Sequence, residues 1–196
     1  PPAFKDGKKY LWDLTIDNNN NLWIGTRMNY LYKIDLDPVS LQKIDLSKLG
    51  LEEGNLYCNP VDDGQGHIWF STAKEGVFEF DGSKFRHLTL KEGMRDLAIT
   101  SLIAAPDGNI LIVHPSGIDL LNPITRHIIY YDEGIGAKGL EPNLNAVAVG
   151  SGRSVWLGME NKMYRYTALE ENLSIHPNTL ITNVSIFLES IDHESV

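Results

Sequence analysis

Cysteine is almost absent from this chain: Cys58 is the only one in 196 residues. No internal disulfide can form, and no cysteine cluster can hold a metal. A single unpaired thiol fits cytoplasmic and periplasmic proteins alike, so it leaves the compartment open. Long hydrophobic runs are missing too, and nothing approaches the roughly 20 apolar residues of a membrane helix. The chain opens Pro1-Pro2-Ala3-Phe4-Lys5-Asp6, without the charged start and apolar stretch of a signal peptide. Such an opening, close to the first repeat, is expected of a piece of a longer protein, so these absences say little about the parent. Positive charge is scarce as well. Lys and Arg number 17 against 26 Asp and Glu, a formal net charge of −9. That balance argues against nucleic acid, whose phosphates call for clustered cations. The six histidines are scattered with no i, i+4 pair, and no Gly-x-Ser-x-Gly elbow occurs. The residues therefore offer no catalytic group, no metal set and no cofactor site.

What the chain does contain is a repeat. Its two fullest copies read Asp17-Asn-Asn-Asn-Asn-Leu-Trp23-Ile-Gly-Thr26 and Asp63-Gly-Gln-Gly66-His-Ile-Trp69-Phe-Ser-Thr72. A third, Asp107-Gly108-Asn-Ile-Leu111-Ile-Val113, has Leu in place of Trp, and a fourth runs from Gly150 through Trp156 to Gly158. The steps Trp23 to Trp69 to Leu111 to Trp156 are 46, 42 and 45 residues. A period of this length with strand-like content marks the blades of a β-propeller.

The second copy shows how one period makes one blade. Leu56–Val61 is a short first strand, and Asp62 to Gly66 supplies turn chemistry. His67–Thr72, rich in β-formers, is the second strand. Lys74-Glu75-Gly76 turns into Val77–Phe80, and Asp81-Gly82-Ser83 turns into Phe85–Leu88. The other copies follow the same order, although the outermost strand of the fourth is not evident. No stretch has helical periodicity, and the fold class is all-β, with blades of four antiparallel strands. The recurring Trp belongs to the scaffold: a large ring fills the wedge between stacked blades and buries about 150–250 Å². The Asn run at 18–21 reads as a polar hairpin turn, with an oxygen-rich Ca²⁺ loop as the alternative.

After Tyr166 the texture changes. Thr167 to Asn172 is polar, Pro177 is a strong breaker, and Leu180–Leu188 is a long strand candidate without a second half. The expected division is 1–170 as four propeller repeats, at about 10–54, 55–95, 96–142 and 143–170. Residues 171–196 are then a linker and the first strand of a following β-sandwich domain. A strand that closes the last blade is the competing reading of 180–188.

Propellers bind ligands at the face where first strands begin and second-to-third-strand turns emerge. That face gathers Arg27, Met28 and Asn29, Asn55 and Tyr57, Arg95 and Asp96, His114, Asn143 and Asn161. Of these, Arg27, Asn29, Asn55, Tyr57, Arg95, His114 and Asn143 are the candidate ligand-binding residues. Aromatic, Arg and Asn side chains around a funnel suit sugars, by stacking and paired hydrogen bonds. Ordinary loop residues without a ligand are the plain alternative.

The phrase Asp-x-x-Gly-x-(Leu/Ile)-Trp-Ile-Gly-Thr, followed by Gly-Leu-x-x-(Ile/Phe)-Asp, resembles two-component regulator propeller repeats. Residues 17–35 and 63–81 carry it best, with weaker copies around Leu111 and Trp156, and the likeness covers most of 10–166. The first copy departs from it at Asn20 and at Asn29-Tyr30, the third lacks the Trp, and the fourth lacks the Asp. That resemblance implies part of a seven-bladed propeller and then an immunoglobulin-like domain. It implies the periplasmic sensor region of a hybrid two-component histidine kinase of Bacteroidetes such as Bacteroides, anchored in the inner membrane. It further implies an oligosaccharide ligand, packing against the rest of its own propeller and the adjoining domain, and a homodimeric parent. No kinase motif lies in this segment. Sialidases offer a runner-up, but their Asp boxes place Asp five residues before Trp, whereas here Asp17–Trp23 and Asp63–Trp69 are six apart. Virginiamycin-type lyases need a His and Glu centre, and His67, His87 and His114 are far apart in sequence. A protein-interaction scaffold is the third reading.

Overall fold

The computed structural model describes residues 11–51, 59–131, 142–168, 184–186 and 189–191. Each repeat is a meander whose strands pair in chain order. The first comprises β1 (Leu11–Ile16), β2 (Asn21–Thr26), β3 (Tyr30–Leu36) and β4 (Val39–Asp45). The second comprises β5 (Pro60–Asp62), β6 (Ile68–Ser71), β7 (Val77–Phe80) and β8 (Phe85–Leu88). The third comprises β9 (Ser101–Ala104), β10 (Ile110–His114), β11 (Gly117–Leu121) and β12 (Ile128–Tyr131). In the fourth, β13 (Pro142–Gly150), β14 (Ser154–Met159) and β15 (Met163–Thr167) form a three-stranded sheet. All pairings are antiparallel, and the sheets are arranged as blades of a β-propeller. Among the described residues the only helical turns are 3₁₀, at Ser47–Leu49 and Leu90–Glu92.

Two expectations fall partly outside the described residues. Of the first strand of blade 2, residues 56–58 are not described, and the strand itself begins at Pro60. Of the strand expected over 180–188, residues 184–186 form β16, which pairs with β17 (Glu189–Ile191); 180–183 and 187–188 lie outside the described residues.

The Asp that opens each full repeat is the hub of its first turn. Asp63 Oδ1 accepts from Gln65 N at 2.8 Å and from His67 N at 3.2 Å, while Gly64 and Gly66 take positive φ. Asp17 does the same for Asn19 and Asn21, and Asn20, at φ 62°, stands where a glycine serves elsewhere. The Asn run is thus a turn, and it also docks: Asn18 donates its backbone N–H to Asp62 and its amide to Gly64 O of the next blade.

Packing between blades is directional. Trp23 lies with Ile68, Phe70, Phe78 and Phe80 of blade 2, meeting Phe80 edge to face at 6.2 Å. Trp69, fully buried, lies with Ile99, Leu102, Ile110 and Leu121 of blade 3. Each ring fills the wedge to the blade that follows, and its N–H is clamped by the turn Asp six residues earlier. The bonds are Trp23 Nε1 to Asp17 Oδ2 at 2.8 Å and Trp69 Nε1 to Asp63 Oδ2 at 3.1 Å. Burial pushes the Asp63 carboxyl up, but the hydrogen bonds from Trp69, Gln65 and His67 outweigh it and hold the group below the usual carboxylate range.

Blade 3 has neither half of this clamp. Strand register aligns Leu111 with Trp69, and the turn bond Ala105 N to Asn109 O aligns Ala105 with Asp63. The quoted Asp107 is therefore two positions later in the turn than the clamp Asp of the other copies. It accepts instead from the Tyr166 hydroxyl of blade 4, at 2.5 Å. Leu111, Leu120, Val155 and Leu157 are buried together between blades 3 and 4 with Tyr131, Tyr164 and Tyr166 packed on them, and an open groove beside them is bordered by Asn122, Ile124, Arg153 and Arg165. Blade 4 keeps the ring without the carboxylate: Gly150 takes the Asp position, and Trp156 remains 40% exposed. The open faces of the first and last blades carry other exposed apolar side chains, among them Leu14, Ile16 and Met163.

Candidate functional site

A meander places successive turns at opposite ends of its blade, so β1, β5, β9 and β13 all begin at the end where the β2–β3, β6–β7, β10–β11 and β14–β15 turns emerge. At that end the first strands carry polar residues that touch across blades. Trp12 Nε1 donates to Asn59 Oδ1 at 3.2 Å, and the Asn59 amide reaches Asn145 Oδ1. Asn145, at φ 55°, donates its backbone N–H to Thr100 O at 3.1 Å. The Ser101 hydroxyl lies 3.5 Å from Asn143 O. Residues from all four blades thus converge on one polar network, and its centre, Asn59, is only 3% exposed. A buried side-chain amide is costly unless its groups are paired. Here both ends of the Asn59 amide are used, so the Trp12 ring is held by a fixed partner.

Charge adds to this mouth. Arg27, on the β2–β3 turn, lies over the Trp12 ring at 5.4 Å. Asp13 sits beside it in β1; burial pushes its carboxyl up, against the bond from Leu14 N. On blade 3, Arg95 lies over Tyr130 at 5.0 Å and donates its backbone N–H to Asp119. Asp96 accepts from the Ser116 hydroxyl at 2.6 Å.

The sequence-predicted residues divide accordingly. Arg27 and Asn143 are exposed at this mouth, the first on Trp12 and the second at the start of β13. Arg95 is exposed on the same end of blade 3. Asn29 is half-buried, and its Oδ1 is buried with no hydrogen-bond partner. Asn55 and Tyr57 lie outside the described residues. His114 is fully buried, 3.3 Å from the equally buried Asp119 carboxylate, and lies under the surface rather than on it. Sequence reasoning missed Trp12, Asp13, Asn59 and Asn145. Their signal was polarity at the first-strand positions of otherwise apolar blades, whereas attention to loop tips favoured the turns.

The three histidines weighed for a lyase centre do not meet. His67 binds Asp63 at 2.9 Å, His87 stacks on Phe78 at the blade edge, and His114 faces Asp119. What the mouth offers is an anchored indole, two cations on aromatic rings, and amides: groups that stack and hydrogen-bond.

No family model and no curated protein matches the sequence. Solved structures do. The extracellular domain of a hybrid two component system from B. thetaiotaomicron superposes with a TM-score of 0.64 at 16% identity, over 93% of this chain and 26% of that one. A second such domain from the same organism gives 0.61 at 18% identity, over 90% of this chain and 26% of that one. A catalytically inactive virginiamycin B lyase from Staphylococcus aureus, with quinupristin, gives 0.60 at 16% identity, over 84% of this chain and 58% of the lyase. The chain thus spans 58% of the lyase and about a quarter of the extracellular domains. These likenesses establish the propeller fold.

Proposed function

We propose that this chain is part of an extracytoplasmic sensor propeller of a hybrid two-component histidine kinase, and that its polar mouth binds an oligosaccharide. The observation that carries this reading is the tethered Trp12, held by Asn59 and faced by Arg27, where residues of all four blades meet. A rigid aromatic ring flanked by amides and a guanidinium is the arrangement by which proteins hold sugar rings. The fold shared with extracellular domains of two hybrid systems agrees with it. The segment acts by binding and carries out no chemistry. The full ring has seven blades, an immunoglobulin-like domain follows after residue 171, and the parent is a homodimer anchored in the inner membrane. Ligand binding shifts packing between propeller and adjoining domain, and the dimer passes that shift to the kinase.

Calorimetric titration of the extracytoplasmic region against an oligosaccharide panel tests this. At least one sugar should bind, and Trp12→Ala should weaken it by tenfold or more, about 1.4 kcal/mol. Binding of a peptide but no sugar would replace the glycan reading with the interaction scaffold. Turnover of a sugar or an antibiotic would replace it with an enzyme.

A further inference from the structure

β8 ends and β9 begins at the mouth end of their blades, so the connection between them, residues 89–100, runs across that face. It carries Arg95 and is tied down at several points. A capping box of Thr89 and Glu92 fixes its start, and Gly76 N donates to Leu97 O at 3.0 Å. The Ser116 hydroxyl holds Asp96, and Thr100 N donates to Val113 O at 2.9 Å. The bond at Arg95 is of another kind: its backbone N–H reaches the fully buried carboxylate of Asp119 at 3.0 Å. We propose that Asp119, with His114 beside it, is a positioning residue that holds Arg95 over Tyr130 and so builds a second cation-on-aromatic station of the mouth. That a sugar meets Arg95 there rests on the sensing reading; the positioning itself does not.

Register shows how far this pair departs from the repeat. Asp119 pairs with Ile112 across β10 and β11, as Tyr32 pairs with Ile24, Phe78 with Phe70 and Tyr164 with Leu157. Three blades thus put an aromatic ring where blade 3 puts a carboxylate. His114 takes the place of Thr26 and Thr72, whose hydroxyls close their own turns on Tyr30 O and Gly76 O. Both exchanges fall in blade 3, and they meet, with His114 Nε2 at 3.3 Å from Asp119 Oδ2 and both side chains fully buried. Among the described residues, Asp119 Oδ1 and His114 Nδ1 make no hydrogen bond. Burial of such a pair takes two polar groups out of water, and apolar residues of similar volume often serve stability as well or better. The pair is therefore weak evidence of stabilisation. What the carboxylate supplies, and an aromatic ring would not, is an acceptor for the Arg95 N–H.

Tyr130 completes the arrangement. It pairs with Asp119 across β11 and β12, its ring stacks on His114 at 6.1 Å and 9°, and its hydroxyl donates to Ser116 O. The ring and the Arg95 N–H are thus both fixed from within blade 3. Between these two anchors the guanidinium lies 5.0 Å from the ring centroid, while the residue stays exposed. Held so, it presents donors for sugar hydroxyls or a carboxylate.

Amide exchange and the ring current of Tyr130, both read by NMR on this chain without any sugar, test the positioning. In the parent chain the Arg95 N–H should exchange at least about tenfold more slowly than an unbonded loop amide, although the residue is exposed. Its side-chain methylenes should be shifted upfield by the Tyr130 ring. Asp119→Leu removes the acceptor and should speed that exchange by about tenfold or more, abolish the upfield shift, and leave the Trp69 indole N–H resonance in place. Asp119→Asn retains an oxygen and should keep both Arg95 signals. Fast exchange of the Arg95 N–H in the parent chain, or an upfield shift that survives Asp119→Leu, would overturn the assignment. Loss of the Trp69 resonance together with the Arg95 signals would also overturn it, by making Asp119 a residue of the wedge as a whole. Should Asp119→Leu fail to fold, His114→Thr/Asp119→Leu, which removes the pair together, is read in its place. Neither signal depends on a ligand, so a chain that binds no sugar in calorimetry would lose the sensing reading and keep this one.

Discussion

The wedge between blades 2 and 3 and the wedge between blades 3 and 4 are made from the same repeat, yet one closes around a clamped indole and the other around aliphatic side chains and tyrosines. In the first, Trp69 is 0% exposed and its N–H is tied to Asp63, which also orders its own turn. One carboxylate thus joins a turn to an interface. Around it, Glu79 on the strand facing Trp69 pairs with Arg126 of blade 3 at 2.6 Å, and Arg126 lies over the ring. In the second wedge Leu111 and Ala105 take the two places, and Leu120 stands where Glu79 would be. The Tyr166 hydroxyl bond to Asp107 crosses there instead, and nearer the mouth Asn145 N–H to Thr100 O joins the same two blades. The difference shows that blade stacking does not need the clamp at every interface, and that removal of both halves together leaves no orphaned charge. Loss of one half alone would leave a buried carboxylate or an unpaired indole N–H.

The largest effect should come from breaking the sealed wedge. Trp69→Ala removes a fully buried ring and takes one of its donors from the Asp63 carboxylate, at a cost of about 3–5 kcal/mol. Leu111→Ala, at the aligned position, should cost about 2–3 kcal/mol, because it removes fewer buried atoms and leaves no hydrogen-bonding group unpaired. Urea unfolding of the two variants measures the contrast. Equal losses would mean that the clamped ring adds nothing to its wedge beyond what an aliphatic side chain supplies.

The carboxylates come next. Asp63→Asn should destabilise by about 1–3 kcal/mol, since three residues hydrogen-bond the charge through four groups. Asp63 is held below its ordinary range, so its contribution is fully present above the unfolded value, near 3.9. It is lost as pH falls through the lower folded value. Stability measured from pH 6 down to pH 2 should therefore fall less steeply in the variant than in the parent chain. Asp107→Asn, which touches one hydroxyl and one backbone N–H, should cost about 1 kcal/mol. A steeper acid loss in Asp63→Asn than in the parent would refute the clamp as the source.

How much of this could be read beforehand follows from where the information lies. Period, strand order and the Trp-filled wedges are local, and the residues between turns spell them out. Leu111 was readable as a missing ring. Ala105 was not, because the nearby Asp107 resembles the clamp residue, and only the bond Ala105 N to Asn109 O shows that it is out of step. The mouth was half legible. Arg27, Arg95 and Asn143 lie on the face that the topology predicts, but Trp12, Asn59 and Asn145 are brought together over separations of 47 and 86 residues. His114 read as a loop residue and is buried, since it ends β10 at the position that Thr26 and Thr72 hold in other blades, under the β10–β11 turn.

The smallest effect sharpens the comparison at its open end. Gly150 holds the clamp position in blade 4, and a Cβ built there would stand 2.7 Å from Trp156 Nε1 and 2.9 Å from Ser154 Oγ. In a sealed wedge such an overlap would cost about 1–3 kcal/mol. Trp156, however, is 40% exposed, and its ring can turn outward. Replacement of glycine also narrows the unfolded ensemble, worth about 0.4–1 kcal/mol in the opposite direction. Gly150→Ala should therefore change stability by less than about 0.5 kcal/mol, while Trp156 emission shifts as the ring moves into water. A loss above about 2 kcal/mol would mean that Trp156 cannot turn, and hence that its face is covered as the face of Trp69 is.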